Sequence, residues 1–125
     1  MAFRTLIPMA LIAATLVSTA VPRAQAQDSG VALEVVAGKL LPGVSVEDHE
    51  NADQAVAQMI AKQPGFISRE TGAGQDGEWF TIVHWASLRD AENAAAVFMQ
   101  SAEGRTSMAL SDPNSIFFKH YLASE

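Results

Sequence analysis

Three side chains in this 125-residue sequence stand out as candidates to move protons: Glu34, His84 and His120. Each sits in a short run of β-branched and aromatic residues: VALEVVAGKL, EWFTIVHW and IFFKHYL. A carboxylate beside an imidazole in apolar surroundings is the equipment of a general base. Histidine titrates near neutral pH, and burial can tune a carboxyl group towards the same range. Phe80, Trp85, Phe118 and Tyr121 flank these groups and offer flat apolar surface to a planar ligand. Each also has a plainer reading. A histidine near a strand end often only satisfies a carbonyl or a water, and a tryptophan is more often core than platform.

Metal chemistry finds less support. His49, His84 and His120 are the three histidines, with no HxH or HxxxH spacing, and there is no cysteine. Two histidines with Glu34 would match a two-His, one-carboxylate set in number. Nothing in the local sequence brings them together, and no metal is expected. His49 falls in the first turn of a predicted helix, where a positive charge is disfavoured, so a neutral packing or capping role is read for it.

These side chains need a frame. Val31–Leu40 reads as a strand, and Pro42-Gly43 breaks it. Ser45-Val46-Glu47-Asp48 opens a helix in capping-box fashion, and Ala52, Val56, Met59 and Ile60 form its apolar face. Pro64-Gly65 ends it near Lys62. Phe66–Thr71 and Glu78–Trp85 read as strands joined through GAGQDG as a hairpin. That glycine-rich loop joins strand to strand and lacks both GxGxxG spacing and a GK[ST] ending, so it is not read as a phosphate site. Ser87 starts a second helix with Leu88, Ala91, Ala95, Phe98 and Met99 as its stripe. Gly104 is expected to end or interrupt it, with one further turn over Arg105–Leu110. Ser111-Asp112-Pro113-Asn114 is a turn signature, and Ile116–Leu122 is the last strand.

Strand, helix, strand, strand, helix, strand with right-handed crossovers is the ferredoxin-like βαββαβ arrangement. It is an α+β fold with an antiparallel four-stranded sheet of order 4-1-3-2 and both helices on one face. The strands carry apolar residues on both sides, so the second face needs a cover, and a second copy of the chain is the simplest one. Alternation within strands puts Glu34 with Ala32 and Val36, His84 with Phe80 and Ile82, and His120 with Ile116 and Phe118. If the parities of the three strands agree, Glu34, His84 and His120 share one face. That face is expected to look into a dimer cavity, with Leu33, Val35, Thr81 and Val83 turned to the helices.

The N-terminus has a different character. Met1–Arg4 carries one positive charge, TLIPMALIAATLVSTAV follows, and PRAQA closes on Ala24-Gln25-Ala26. This is the pattern of a secretory signal peptide over residues 1–26, leaving 27–125 as the working domain, periplasmic or secreted. A 17-residue apolar run is short for a spanning helix. The chain has a net charge of −6, and losing Arg4 and Arg23 makes the remainder more acidic. Such a surface disfavours nucleic acid and anionic membranes as partners.

PGFISRE, then GEWFTIVHWASLRDAENAA, then SMALSDPNSIFFKHY resembles the antibiotic biosynthesis monooxygenase-like group of the dimeric α/β-barrel superfamily. The resemblance spans about Val31 to Leu122. It implies a homodimer enclosing a cavity. It also implies a cofactor-independent monooxygenase acting on an aromatic or quinone-type molecule, or else a non-catalytic binding or structural dimer of the same fold. In the first case Glu34, His84 and His120 would be catalytic, and Phe80, Trp85, Phe118 and Tyr121 would contact substrate. Haem-degrading members of the superfamily resemble one another in a Trp and a His on or after the second helix. AENAAAVFMQSAEGRTSM has neither.

Overall fold

A computed structural model describes residues 30–124. The leader expected over residues 1–26 lies outside the described residues. The elements are β1 (Ala32–Lys39), α1 (Val46–Ile60), β2 (Phe66–Ala73), β3 (Glu78–Trp85), α2 (Leu88–Gln100), α3 (Ala102–Met108), a single 3-10 turn (Pro113–Ser115) and β4 (Phe117–Leu122). All strand pairings are antiparallel and the order is β2-β3-β1-β4, the expected 4-1-3-2 sheet read from its other edge. No helix among the described residues is long and apolar enough to cross a membrane.

Local chemistry explains the boundaries. Ser45 Oγ accepts the Asp48 N–H at 3.0 Å and Ser87 Oγ accepts the Asp90 N–H at 3.1 Å, so both long helices start on serine caps. Glu47 and Asp48 in the first turn of α1 and Asp90 in that of α2 sit where the helix dipole favours them. In the β2–β3 hairpin, Asp76 and Gly77 both have positive φ, 57° and 80°. That is the requirement of a type I′ turn, and Asp-Gly is a favoured pair for it.

The core lies between the sheet and the helices. Val56 and Ile60 from α1 and Ala91 and Ala94 from α2 pack on Ala32, Val83 and Trp85. Ala32 stands opposite Trp85, so these sheet residues share one face. The α2 stripe differs from expectation: Ala94, not Ala95, is buried, and Met99 is exposed. Ala91, Ala94 and Phe98 recur at i, i+3 and i+7, while Met99 lies about 100° further around the helix.

The break after α2 also differs. It falls at Ser101, which is extended, and Gly104 lies inside α3. Ser101 Oγ donates to the Phe98 carbonyl at 2.7 Å and accepts the Gly104 N–H at 2.9 Å, stopping one helix and starting the next. Gly104 is needed for space. A Cβ there would come within 2.0 Å of the Phe98 carbonyl oxygen. Gly104→Ala is expected to cost about 1–3 kcal/mol through overpacking, read as a lower melting temperature with an unchanged fold by circular dichroism.

The opposite sheet face carries Leu33, Val35 and Ala37 from β1, Phe80, Ile82 and His84 from β3, and Phe117, Lys119 and Tyr121 from β4. No helix of the described chain covers it. Phe80 is 42% exposed and Phe117 and Tyr121 are each 43% exposed.

Candidate functional site

The register decides which candidate residues meet. Glu34 stands opposite His120 on one side and Val83 on the other. Facing residues in a ladder project to the same side, so Glu34, His120, Thr81, Val83 and Phe118 all point at the helices. His84 stands opposite Leu33 and projects from the other face. The expectation that Glu34, His84 and His120 share a face is therefore corrected: Glu34 and His120 do, and His84 does not. The face assignment is corrected too. Thr81 and Val83 face the helices as expected, but Leu33 and Val35 lie on the open side with His84. An even-numbered residue of β1 faces an odd-numbered one of β3, because loop lengths set the register between strands and numbering does not.

Glu34 and His120 form a pair. His120 Nε2 and Glu34 Oε2 are joined by a hydrogen bond of 2.7 Å. Glu34 is only 5% exposed. Burial pushes its carboxyl group above the usual carboxylate range, and this is partly offset by the His120 hydrogen bond, the charge of His120 and the charge of Arg69. A raised folded-state pKa has a defined sign. The contribution of Glu34 to stability is full below the ordinary carboxyl pKa and is lost as pH rises through the raised value. Glu34→Gln is therefore expected to gain stability relative to wild type as pH rises from 4 to 8. Thermal unfolding at several pH values reads it, and a gap that does not widen with pH would remove this assignment.

Arg69 and Asp53 complete the polar set. Arg69 projects from β2 on the helix-facing side, opposite Val83. Its Nη1 and Nη2 donate to Asp53 Oδ2 and Oδ1 at 3.1 and 2.5 Å, tying β2 to α1. The adjacent Glu70 projects from the open face. These groups border a small cavity between the sheet and the helices, lined also by Trp79, Phe98, Met108 and Phe118. Its volume is about 50 Å³, enough for a few waters or the end of a ligand. Phe118, 37% exposed, stands at its rim.

The remaining candidates disperse. Trp85 is completely buried in the core, edge-on to Phe66, and does not line the cavity. Phe80 and Tyr121 are on the open face. His84 Nδ1 is hydrogen-bonded to Ser68 Oγ at 3.1 Å on that same face. His49 packs its ring 5.6 Å from that of Trp79, whose Nε1 donates to Ser111 Oγ at 2.9 Å. Among the described residues no group of three or more His, Cys, Asp or Glu is arranged to hold a metal ion.

Sequence reasoning missed Asp53 and the inward role of Arg69. One signal was present: Asp53, Val56 and Ile60 recur at i, i+3 and i+7, so a carboxylate sits on the helical stripe that must be buried.

A four-stranded antiparallel sheet with its helices on one face defines this chain as a ferredoxin-like α+β protein, and its solved structural neighbours include antibiotic biosynthesis monooxygenase-like proteins. SnoaB, a cofactor-independent oxygenase from Streptomyces nogalater, superposes with a TM-score of 0.63 at 16% identity, over 78% of this chain and 96% of its own. A Caulobacter crescentus protein assigned as an antibiotic biosynthesis monooxygenase gives 0.66 at 15% identity, over 81% and 96%. A dimeric ferredoxin-like protein of unknown function from Jannaschia sp. gives 0.59 at 8% identity, over 75% and 100%. At these identities the likeness is one of fold. No protein-family model matches the sequence, and no curated protein does.

Proposed function

We propose that this chain is a small exported enzyme, periplasmic or secreted, that works without a cofactor as a monooxygenase on an aromatic or quinol-type molecule. The observation that carries this reading is the Glu34–His120 hydrogen bond of 2.7 Å, whose Glu34 lines a cavity together with Trp79, Phe98 and Phe118. The fold it shares with a cofactor-independent oxygenase supports it, and the leader-like residues 1–26 support export.

The chain's own groups supply the first step. The Glu34–His120 pair takes a proton from the substrate, leaving an electron-rich anion. Molecular oxygen is the oxidant. The anion reduces it, one oxygen atom stays on the ring carbon as a carbonyl, and the other leaves as water with the proton already removed and the one hydrogen left on that carbon. The cavity of about 50 Å³ takes the reacting end of such a molecule, and the rest of the ring system lies over Phe118 at the rim.

The working form is a homodimer. The open face, with Leu33, Val35, Phe80, Ile82, Phe117 and Tyr121, is the surface a second copy covers. His84 belongs to that surface and not to proton transfer. Oxygen uptake by the purified chain with a hydroquinone or an anthrone tests the enzyme reading. Uptake above the rate without protein, abolished in His120→Gln, is expected. Tight binding with no uptake would leave the second reading, a binding protein of the same fold.

A further inference from the structure

One strong donor on a residue that lines the cavity lacks a partner. Arg69 uses Nη1 and Nη2 on Asp53, its side chain is only 11% exposed, and its Nε is buried with no hydrogen-bond acceptor. An unsatisfied donor on a buried guanidinium is costly, and this one belongs to a residue that lines the cavity together with Glu34. The charges around it are also informative. Asp53 already balances Arg69, and Glu34 adds a further carboxylate. A ligand that arrives with its own full negative charge meets repulsion from that carboxylate. A neutral hydroxyl that gives its proton to the Glu34–His120 pair brings no net charge in and leaves an oxygen anion for Arg69.

We propose that Arg69 is the oxygen-binding residue of this cavity: its Nε–H holds the oxygen of a phenol- or enol-type hydroxyl as that group passes its proton to Glu34 and His120. The inference rests on the enzyme reading for its substrate, and it names the ligand class more narrowly as weakly acidic hydroxyls, to the exclusion of carboxylates and phosphates. Asp53 is then a positioning residue. It takes the two terminal nitrogens and leaves Nε to the ligand. The O–H bond breaks, its electron pair stays on the oxygen, and the proton remains in the cavity, so no co-reactant is needed for this step.

The test uses 4-nitrophenol, whose phenolate absorbs visibly, with 4-nitrobenzoate as a charged counterpart of similar size. At a pH where free 4-nitrophenol is mostly protonated, the wild-type chain is expected to bind it as the phenolate. 4-Nitrobenzoate is expected to bind at least about tenfold more weakly, as is 4-nitrophenol to Arg69→Gln. Arg69→Lys, which keeps the charge and lacks Nε–H, is expected not to restore binding. The Arg69 Nε–H resonance of the wild-type chain should move downfield on adding the phenol, a readout that needs no variant to fold. Equal phenol binding by Arg69→Gln, preference for the benzoate, no phenol binding, or an unmoved resonance in the bound state would each overturn the assignment. Oxygen uptake with a hydroquinone separates this from the enzyme reading. Wild-type uptake by a folded Arg69→Gln removes Arg69 and leaves the enzyme, whereas phenol ionisation without uptake leaves Arg69 and removes the oxygenase.

Discussion

His120→Gln and Glu34→Gln are each expected to lower oxygen uptake with a quinol by about 10²–10⁴-fold, the range over which a positioned general base contributes. Both replacements are close in size, and the remaining amide can still hydrogen-bond, so the fold is expected to survive. The loss should appear in kcat and kcat/KM together, because the missing step is proton removal and not binding. The double variant should be little worse than the poorer single one, since two groups sharing one hydrogen bond act as a unit. His84→Gln supplies the contrast. It removes an imidazole of equal chemistry from the opposite face of the same sheet, and turnover should stay near wild type. Uptake by His120→Gln at the wild-type rate would end the proposed mechanism, and so would an equal loss in His84→Gln.

The distance between those two histidines marks where the sequence stops being legible. Strand runs, serine caps at Ser45 and Ser87, and the Pro-Gly and Asp-Gly punctuation are local signals, and the elements they predict are present in the predicted sheet order. Alternation is also local. It relates Glu34 to Ala32 and Val36 within β1, but it cannot say whether an even or an odd residue of β3 lies alongside, because the α1 crossover and the hairpin intervene. One residue of slip inverts a face, and Ile67, left over as a bulge between Phe66 and Ser68, shows that such slips occur within this sheet. The pairing of Glu34 with His120 follows numerical parity and that of Glu34 with His84 does not. The Arg69–Asp53 contact was hidden for a related reason: it joins a strand to a helix 16 positions earlier, and only tertiary packing brings them together. The break at Ser101 was masked by the stronger breaker Gly104, whose role is steric.

The open face yields the other large effect. Val35 lies at its centre on an inner strand, opposite Ile82 on one side and Lys119 on the other. Val35→Lys puts a cation where a partner sheet would press, next to an existing cation that offers it no relief. Val35→Glu would find Lys119 within reach, so the lysine variant is the sharper probe and the glutamate variant its milder control. An uncompensated buried charge costs about 3–5 kcal/mol, and a two-fold interface buries it once per copy. Association should therefore weaken by at least about 10²-fold, visible as a monomer in sedimentation velocity at concentrations where the wild type is a dimer. Glu34, His120 and Arg69 lie on the opposite side of the sheet, within a single chain. A folded Val35→Lys monomer is therefore expected to keep binding 4-nitrophenol. Should the wild type itself sediment as a monomer, the proposed dimer falls and the cavity stands. Should the variant lose both dimer and ligand while remaining folded, the partner copy completes the site, and its assignment to one chain is wrong.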